Sequence, residues 1–418
     1  MTESAALLTV DPYSPVFQRD PFPTYDALRA QAPVYKVPGA EFHIVSSMAL
    51  IREVLADPTT YANSVTRGRR TPPPPEVADE VERIRAQGVP YVPTLNGSDP
   101  PDHARMRRLV SRAFTPRALE WMDPVVTQIA VELVESLPRT GTFDLIDALA
   151  RPLPIYAICR ILGLPAGLRN DIARWSDAAT ASLAAAPMDP HRWIETEEAT
   201  LDYQRAILAV IAERRSTPGD DVLSLLVQPD ETGETLSDAE LVWFVRELLV
   251  AGNETTTKLL ADLVLRMDDR PELWRLLRDQ PGRAADIVEE GLRLASPVHG
   301  MFRRVSRDTV LGGVHLEKDA TLFLSFLSAN RDEDHFDDAD ALDIDRPNTR
   351  SHLSFGRGIH VCLGASLARK EATICLVELA RVGMLRVEQG QSLEFAPTFL
   401  LRGVTGLHVH IDGLVGED

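Results

Sequence analysis

Apolar positions recur at helical spacing over most of the chain. Thr24 to Ala30, Ala49 to Ala56, His103 to Phe114 and Ala118 to Ser136 each read as an amphipathic helix. Pro58, Pro116, Pro138, Gly163 and Pro165 punctuate these segments. Strand-like runs are few. Phe42 to Val45 is short and β-prone, and Phe302 to Val305 follows Pro297. Thr309 to Leu311 and Val314 to Leu316 flank Gly312-Gly313, which predicts a hairpin. Phe395 to Leu400 and Leu407 to Ile411 predict the last strands. No internal repeat and no flexible linker interrupts the chain. The pattern predicts one large domain over 1–418, mainly α with small β-sheets.

The segment 71–102 breaks the helical pattern. It holds Pro72 to Pro75, a possible short helix from Glu76 to Gln87, then Pro90, Pro93, Pro100 and Pro101. A long irregular insertion in a compact chain has two readings, a substrate-covering loop and a plain surface loop.

Composition narrows the function classes. Lys and Arg number 44 against 62 Asp and Glu, a net charge of −18 that argues against a nucleic-acid binder. The 44% hydrophobic and 25% charged content is that of a folded globular protein. Cys159, Cys362 and Cys375 form no CxxC pair, so neither a disulfide framework nor a structural zinc site is expected. Arg246 and Glu247 interrupt the most apolar helix candidate, Leu241 to Ala251, and no run approaches the ~20 apolar residues of a membrane span. The N-terminus lacks the basic n-region of a signal peptide. A soluble, cytoplasmic protein is expected.

The densest chemistry lies in Ser354-Phe355-Gly356-Arg357-Gly358-Ile359-His360-Val361-Cys362-Leu363-Gly364. A helix pattern begins at about Leu363, which puts Cys362 at a helix N-terminus, where free amides and the helix dipole favour a thiolate. A lone thiolate is one recognised axial ligand of haem iron. Gly356-Arg357-Gly358 lacks the third glycine of a dinucleotide fingerprint, and Ser366 would lie inside a helix rather than on a nucleophile elbow.

Other segments carry separate signals. Glu290 and Arg293 share a helix face, with Pro297 just beyond. Ser237 and Glu240 form a capping box opening a helix that runs into Ala251-Gly252-Asn253-Glu254-Thr255-Thr256-Thr257. A glycine and three threonines in mid-helix are poor helix formers and predict a local bend or a chemical role.

The Cys362 segment is similar to the haem-binding loop of the cytochrome P450 superfamily, and Glu289 to Val298, Ala251 to Thr256 and Ala329-Asn330-Arg331-Asp332 resemble its other motifs in the same order. The resemblance covers about Asp11 to Ile411. It implies the single helix-rich P450 domain enclosing haem b, with a substrate-covering loop at 71–102, a long distal helix at 237–267 and the haem-thiolate loop at 351–364. Cys362 is the implied iron ligand. Phe355, Gly356, Gly364 and Ala251 are implied cofactor contacts, and His103, Arg107, Arg303 and His360 are implied propionate partners, with Arg304 a rival to Arg303. Glu290, Arg293 and Arg346 are the implied structural ion network.

The same resemblance implies a bacterial-type monooxygenase with Glu254 and Thr255 as its acid–alcohol pair; a peroxygenase or an oxidative coupling catalyst is the alternative. The implied partners are O2, a small or medium apolar substrate, and NAD(P)H electrons delivered through ferredoxin reductase and ferredoxin to a monomer. Leu95, Leu249, Val250, Val298, Met301, Phe399, Leu400 and the Thr180 to Ala186 region are pocket candidates. The helix after His103 carries Arg105, Arg108, Arg112 and Arg117 with no acid before Ala118. With Arg357 it is either a solvated face or a ferredoxin-docking face.

Overall fold

The computed structural model describes residues 10–12, 14–63, 72–115, 120–181, 188–396 and 398–413. Most of them form helices, and three small sheets lie around the helical body. The centre is one 31-residue helix, Asp238–Asp268, which starts at the Ser237–Glu240 capping box. Its glycine and threonines do not interrupt it: the hydroxyls of Thr255 and Thr257 hydrogen-bond back to the carbonyls of Ala251 and Asn253, four residues earlier.

Around this axis pack Pro152–Leu162, Arg169–Ala181, Ala284–Ala295 and Ala365–Val382. The approach of Ala284–Ala295 depends on Gly291. A Cβ there would lie 2.2 Å from Leu263 Cδ2 on the central helix, so a larger residue would force the two helices apart. The principal core runs through these helices from Leu95 to Val409.

The largest sheet has the strand order Val34–Lys36, Phe42–Val45, Thr321–Ser325, Gly300–Val305 and Tyr61–Ala62. Its middle strand, Thr321–Ser325, pairs parallel with Phe42–Val45 and antiparallel with Gly300–Val305. The hairpin Thr309–Leu311/Val314–Leu316 turns on Gly312 and Gly313, both with positive φ. The His408–Asp412 strand forms as expected, but Phe395 to Leu400 is not a strand. It is held by an isolated bridge from Phe395 to Val404 and by backbone bonds of Ala396 with Gly403 and of Leu400 with His299. Phe399 in this segment packs into an aromatic cluster with Phe323, His299 and Phe42, at centroid distances of 4.2, 5.4 and 5.8 Å. Among the described residues no helix is long and apolar enough to cross a membrane.

Candidate active site

Two segments carry the candidate residues: the middle of the central helix and the loop ahead of Ala365–Val382, a helix that packs on the central one. Cys362 is held in that loop by its amide, which donates to the Phe355 carbonyl at 2.9 Å. Arg369 lies over the Phe355 ring at 4.5 Å. The sulfur is densely surrounded by protein, yet the residue remains solvent-accessible, so it lines a concave surface. Burial pushes the thiol up, against the Gly364 amide and the charges of Arg107 and Arg369 that pull it down. The helix starts only at Ala365, and here burial outweighs the helix terminus; a bound metal cation is what deprotonates such a thiol outright.

On the central helix Ala251 is exposed and Gly252, Glu254 and Thr255 are half-buried, although they sit amid buried neighbours. A Cβ placed on Gly252 or Gly364 meets nothing within 4 Å, and on Gly356 only the His360 carbonyl at 3.8 Å. Thr255 Oγ1 donates to the Ala251 carbonyl at 2.6 Å. Glu254 is ion-paired with Lys258, which is buried.

Four basic side chains converge beside the loop. The rings of His103 and His360 lie 4.2 Å apart. Arg303 Nη1 donates to Asn63 Oδ1 at 2.8 Å, and Asn63 Nδ2 lies 3.5 Å from His360 Nδ1. Burial and the charges of Arg303, His103 and Arg107 push His360 down to about 3, and burial lowers Arg303 to about 10. The Nε2 atoms of both histidines are buried with no hydrogen-bond partner among the described residues. Arg304 points away: it pairs with Asp319 at 2.6 Å on the surface, which separates it from Arg303. Clustered cations with orphaned nitrogens, a recessed sulfur and an open glycine-lined cradle fit a planar group bearing carboxylates and a thiolate-binding metal.

Behind the loop the expected ion network is complete. Glu290 accepts from Arg293 at 2.7 and 2.9 Å and from Arg346 at 3.0 Å. The arginines spend their remaining donors on the carbonyls of Asn330, Asp338, Ala339 and Ala341. Three residues to which the sequence reading gave no role extend this scaffold. Glu289 accepts from Arg369 and pairs with His352, and is held down to about 2 against its burial. Asn330 binds Ser296, Ser354 and the Leu353 amide, which positions the cysteine loop. Glu371 is fully buried, raised to about 8 by desolvation, and accepts from Thr256 at 3.3 Å. The signals were present in the doublet Glu289-Glu290 and the segment Ala329 to Asp332, but their partners lie far along the chain.

The pocket candidates divide. Leu95 is buried in the main core. Leu249 and Val250 line a cleft with Trp175, Thr200, Tyr203 and Arg246. Val298 and Met301 are half-buried at the sheet. Phe399 is consumed by the aromatic core, and the Leu400 carbonyl accepts from the His299 amide at 2.9 Å. Of the Thr180 to Ala186 region, 182–186 lie outside the described residues, as do Thr71 and Arg117.

The arginine face is largely paired within the chain. Arg105 pairs with Glu234 and Glu240, and Arg108 with Asp230 and Glu234. Arg112 donates to the carbonyls of Leu225, Gln228 and Pro229. Acids more than a hundred residues away therefore compensate charges that look bare in the local sequence. Arg357 remains exposed.

The comparisons agree with this geometry. The cytochrome P450 family model matches residues 284–396. The chain is 35% identical over 376 residues to the vitamin D(3) 25-hydroxylase of Pseudonocardia autotrophica, covering 88% of each. It is 38% identical over 396 residues to the mycinamicin IV hydroxylase/epoxidase of Micromonospora griseorubida, covering 92% of this chain and 94% of that protein. The solved structure of cytochrome P450 CYP109Q5 from Chondromyces apiculatus superposes with a TM-score of 0.85 at 29% identity, covering 98% of this chain and all of that one. The chain belongs to the cytochrome P450 family.

Proposed function

We propose that this P450 monooxygenase oxidises a medium-sized, largely apolar small molecule, with electrons from an acidic ferredoxin. The observation that carries the reading is the recessed, solvent-accessible Cys362 beside the converging basic groups His103, Arg107, Arg303 and His360. The apolar character of Leu95, Leu249, Val250, Val298 and Met301 supports the substrate class, as do relatives named for hydroxylating vitamin D(3) and mycinamicin IV.

Haem, when bound, supplies the activation of O2. The chain's own residues hold it and manage protons. Cys362 is the ligand, and His103, Arg107, Arg303 and His360 are the partners for its carboxylates. Phe355, Gly356, Gly364 and Ala251 shape its cradle. Thr255 donates its hydroxyl hydrogen to the Ala251 carbonyl, so its oxygen is left to accept a hydrogen bond, and breaking the bond to the carbonyl frees the hydroxyl to donate. Glu254, an ion-paired carboxylate tethered to Lys258, is the neighbouring group of this proton route, accepting a proton from solvent before it relays one. Replacing Thr255 with Ala is expected to leave haem binding intact while product per electron pair falls by about tenfold or more. Electrons then emerge as peroxide. Product and peroxide measured against NAD(P)H consumption decide the matter, and unchanged coupling would remove Thr255 from the proton route.

Arg357 is the exposed cation that supports ferredoxin docking, since Arg105 and Arg108 are paired and Arg112 is bound to carbonyls. The variant Arg357→Glu is expected to slow reduction by an acidic ferredoxin about tenfold at low salt, with the gap closing as salt rises. Stopped-flow reduction rates that match the unaltered protein at every ionic strength would move the docking site elsewhere.

A further inference from the structure

Trp243, Glu247, Ala251 and Thr255 recur every four residues, so they share one face of the central helix. The second half of this face is the candidate active site. The first half holds down the segment 88–97. Trp243 Nε1 donates to the Pro90 carbonyl at 2.9 Å, and Trp243 and Tyr91 meet edge-to-face at 5.1 Å. Four residues on, the Glu247 carboxylate accepts the Thr94 hydroxyl through one oxygen and the Asn96 amide, at 3.1 Å, through the other.

Glu247 interrupts an otherwise apolar run, and no packing reason demands an acid there. Its carboxyl is enclosed by protein and is raised by burial, while hydrogen bonds from Thr94, Asn96 and Leu95 oppose the rise. Its charge is felt at Cys362, so it faces the same interior surface. Thr94 and Asn96 bracket Leu95, a pocket candidate. The far side of the segment is anchored separately, where Gln204 Oε1 accepts from the Val89 amide at 2.7 Å.

We propose that Glu247 is the latch that closes the 88–97 segment over the substrate site and positions Leu95 within it. It is a positioning residue: it touches the loop, and the loop contacts the substrate. Opening requires release of the Thr94 and Asn96 hydrogen bonds while the Gln204 anchor at Val89 stays in place. The proposal rests on the monooxygenase reading for its purpose but not for its geometry.

The test compares Glu247→Leu, Glu247→Gln and Thr94→Val holoproteins with the unaltered one. Imidazole and the bulkier 4-phenylimidazole serve as probes, with exchange rates read from the Soret shift. Limited proteolysis reports cleavage within 85–99. Glu247→Leu and Thr94→Val are expected to speed 4-phenylimidazole entry and exit by about tenfold, imidazole less, with faster cleavage in that segment. The carboxamide of Glu247→Gln still accepts from the Asn96 amide and restores rates to within about threefold. Unchanged exchange and cleavage in both Glu247→Leu and Thr94→Val would overturn the latch. So would equal acceleration of both probes with cleavage spread over the whole chain. An unaltered protein lacking any Soret shift would strike the haem reading instead, and the cleavage sites would still decide the latch.

Discussion

Replacing Cys362 with His is expected to move the Soret band of the reduced, carbon-monoxide-bound protein away from its red-shifted, thiolate-type position. Oxygenation should fall to background. Burial pushes the Cys362 thiol up, against the Gly364 amide, Arg107 and Arg369, so the thiolate depends on the bound metal, and an imidazole ligand brings no such charge. Thiolate ligation pushes electron density toward the iron and favours O–O cleavage, which a neutral nitrogen ligand does less well. Loss of a residue that merely supports a metal ligand costs about 10–100-fold, so loss of the ligand itself should exceed that range. The cation cluster at His103, Arg107, Arg303 and His360 is untouched, so haem should remain bound. An unshifted carbon-monoxide spectrum in the variant would show that the iron takes its ligand from elsewhere.

Replacing Glu290 with Ala is expected to remove most of the folded protein. Arg293 and Arg346 are buried, and this carboxylate accepts from both. Its loss strands two guanidinium groups where water cannot reach them. Breaking a buried ion pair by removing one partner costs about 3–5 kcal/mol. Against a total stability of about 5–15 kcal/mol that is a large fraction. The damage should spread, because the same arginines tie down carbonyls from Asn330 to Ala341. Urea unfolding of the holoprotein measures the loss. A midpoint unchanged from the unaltered protein would mean that the network is dispensable.

Where a signal was local, the sequence was sufficient. The capping box at Ser237 places the start of the central helix, and Gly312-Gly313 places the hairpin. The Glu290–Arg293 spacing brings its residues together because a helix makes positions three apart neighbours. Signals that depend on distant partners were not legible. The strand Thr321–Ser325 is buried on both faces, so it has none of the alternation that marks a half-exposed strand. Arg105 and Arg108 looked uncompensated because Asp230, Glu234 and Glu240 reach them only once the chain has folded back. Glu247 registered as a break in an apolar run, whereas the fold sets it against Thr94 and Asn96, some 150 residues earlier. Phe399 has the character of a pocket residue, and only packing with Phe323 and Phe42 assigns it to the core.

The crowding of His103, Arg107, Arg303 and His360 has a meaning beyond the reaction. Burying the Arg107 and Arg303 guanidinium groups, beside two histidines held toward their neutral forms, raises the energy of the folded chain, and a dianionic cofactor offsets that cost only in the folded form. Folding and cofactor capture are then two sides of one equilibrium, in which the stability of the folded form grows with the logarithm of free haem once haem exceeds its dissociation constant. Protein made faster than haem is supplied becomes the fraction that proteases remove. The cell's haem supply thereby becomes a control on how much of this protein persists.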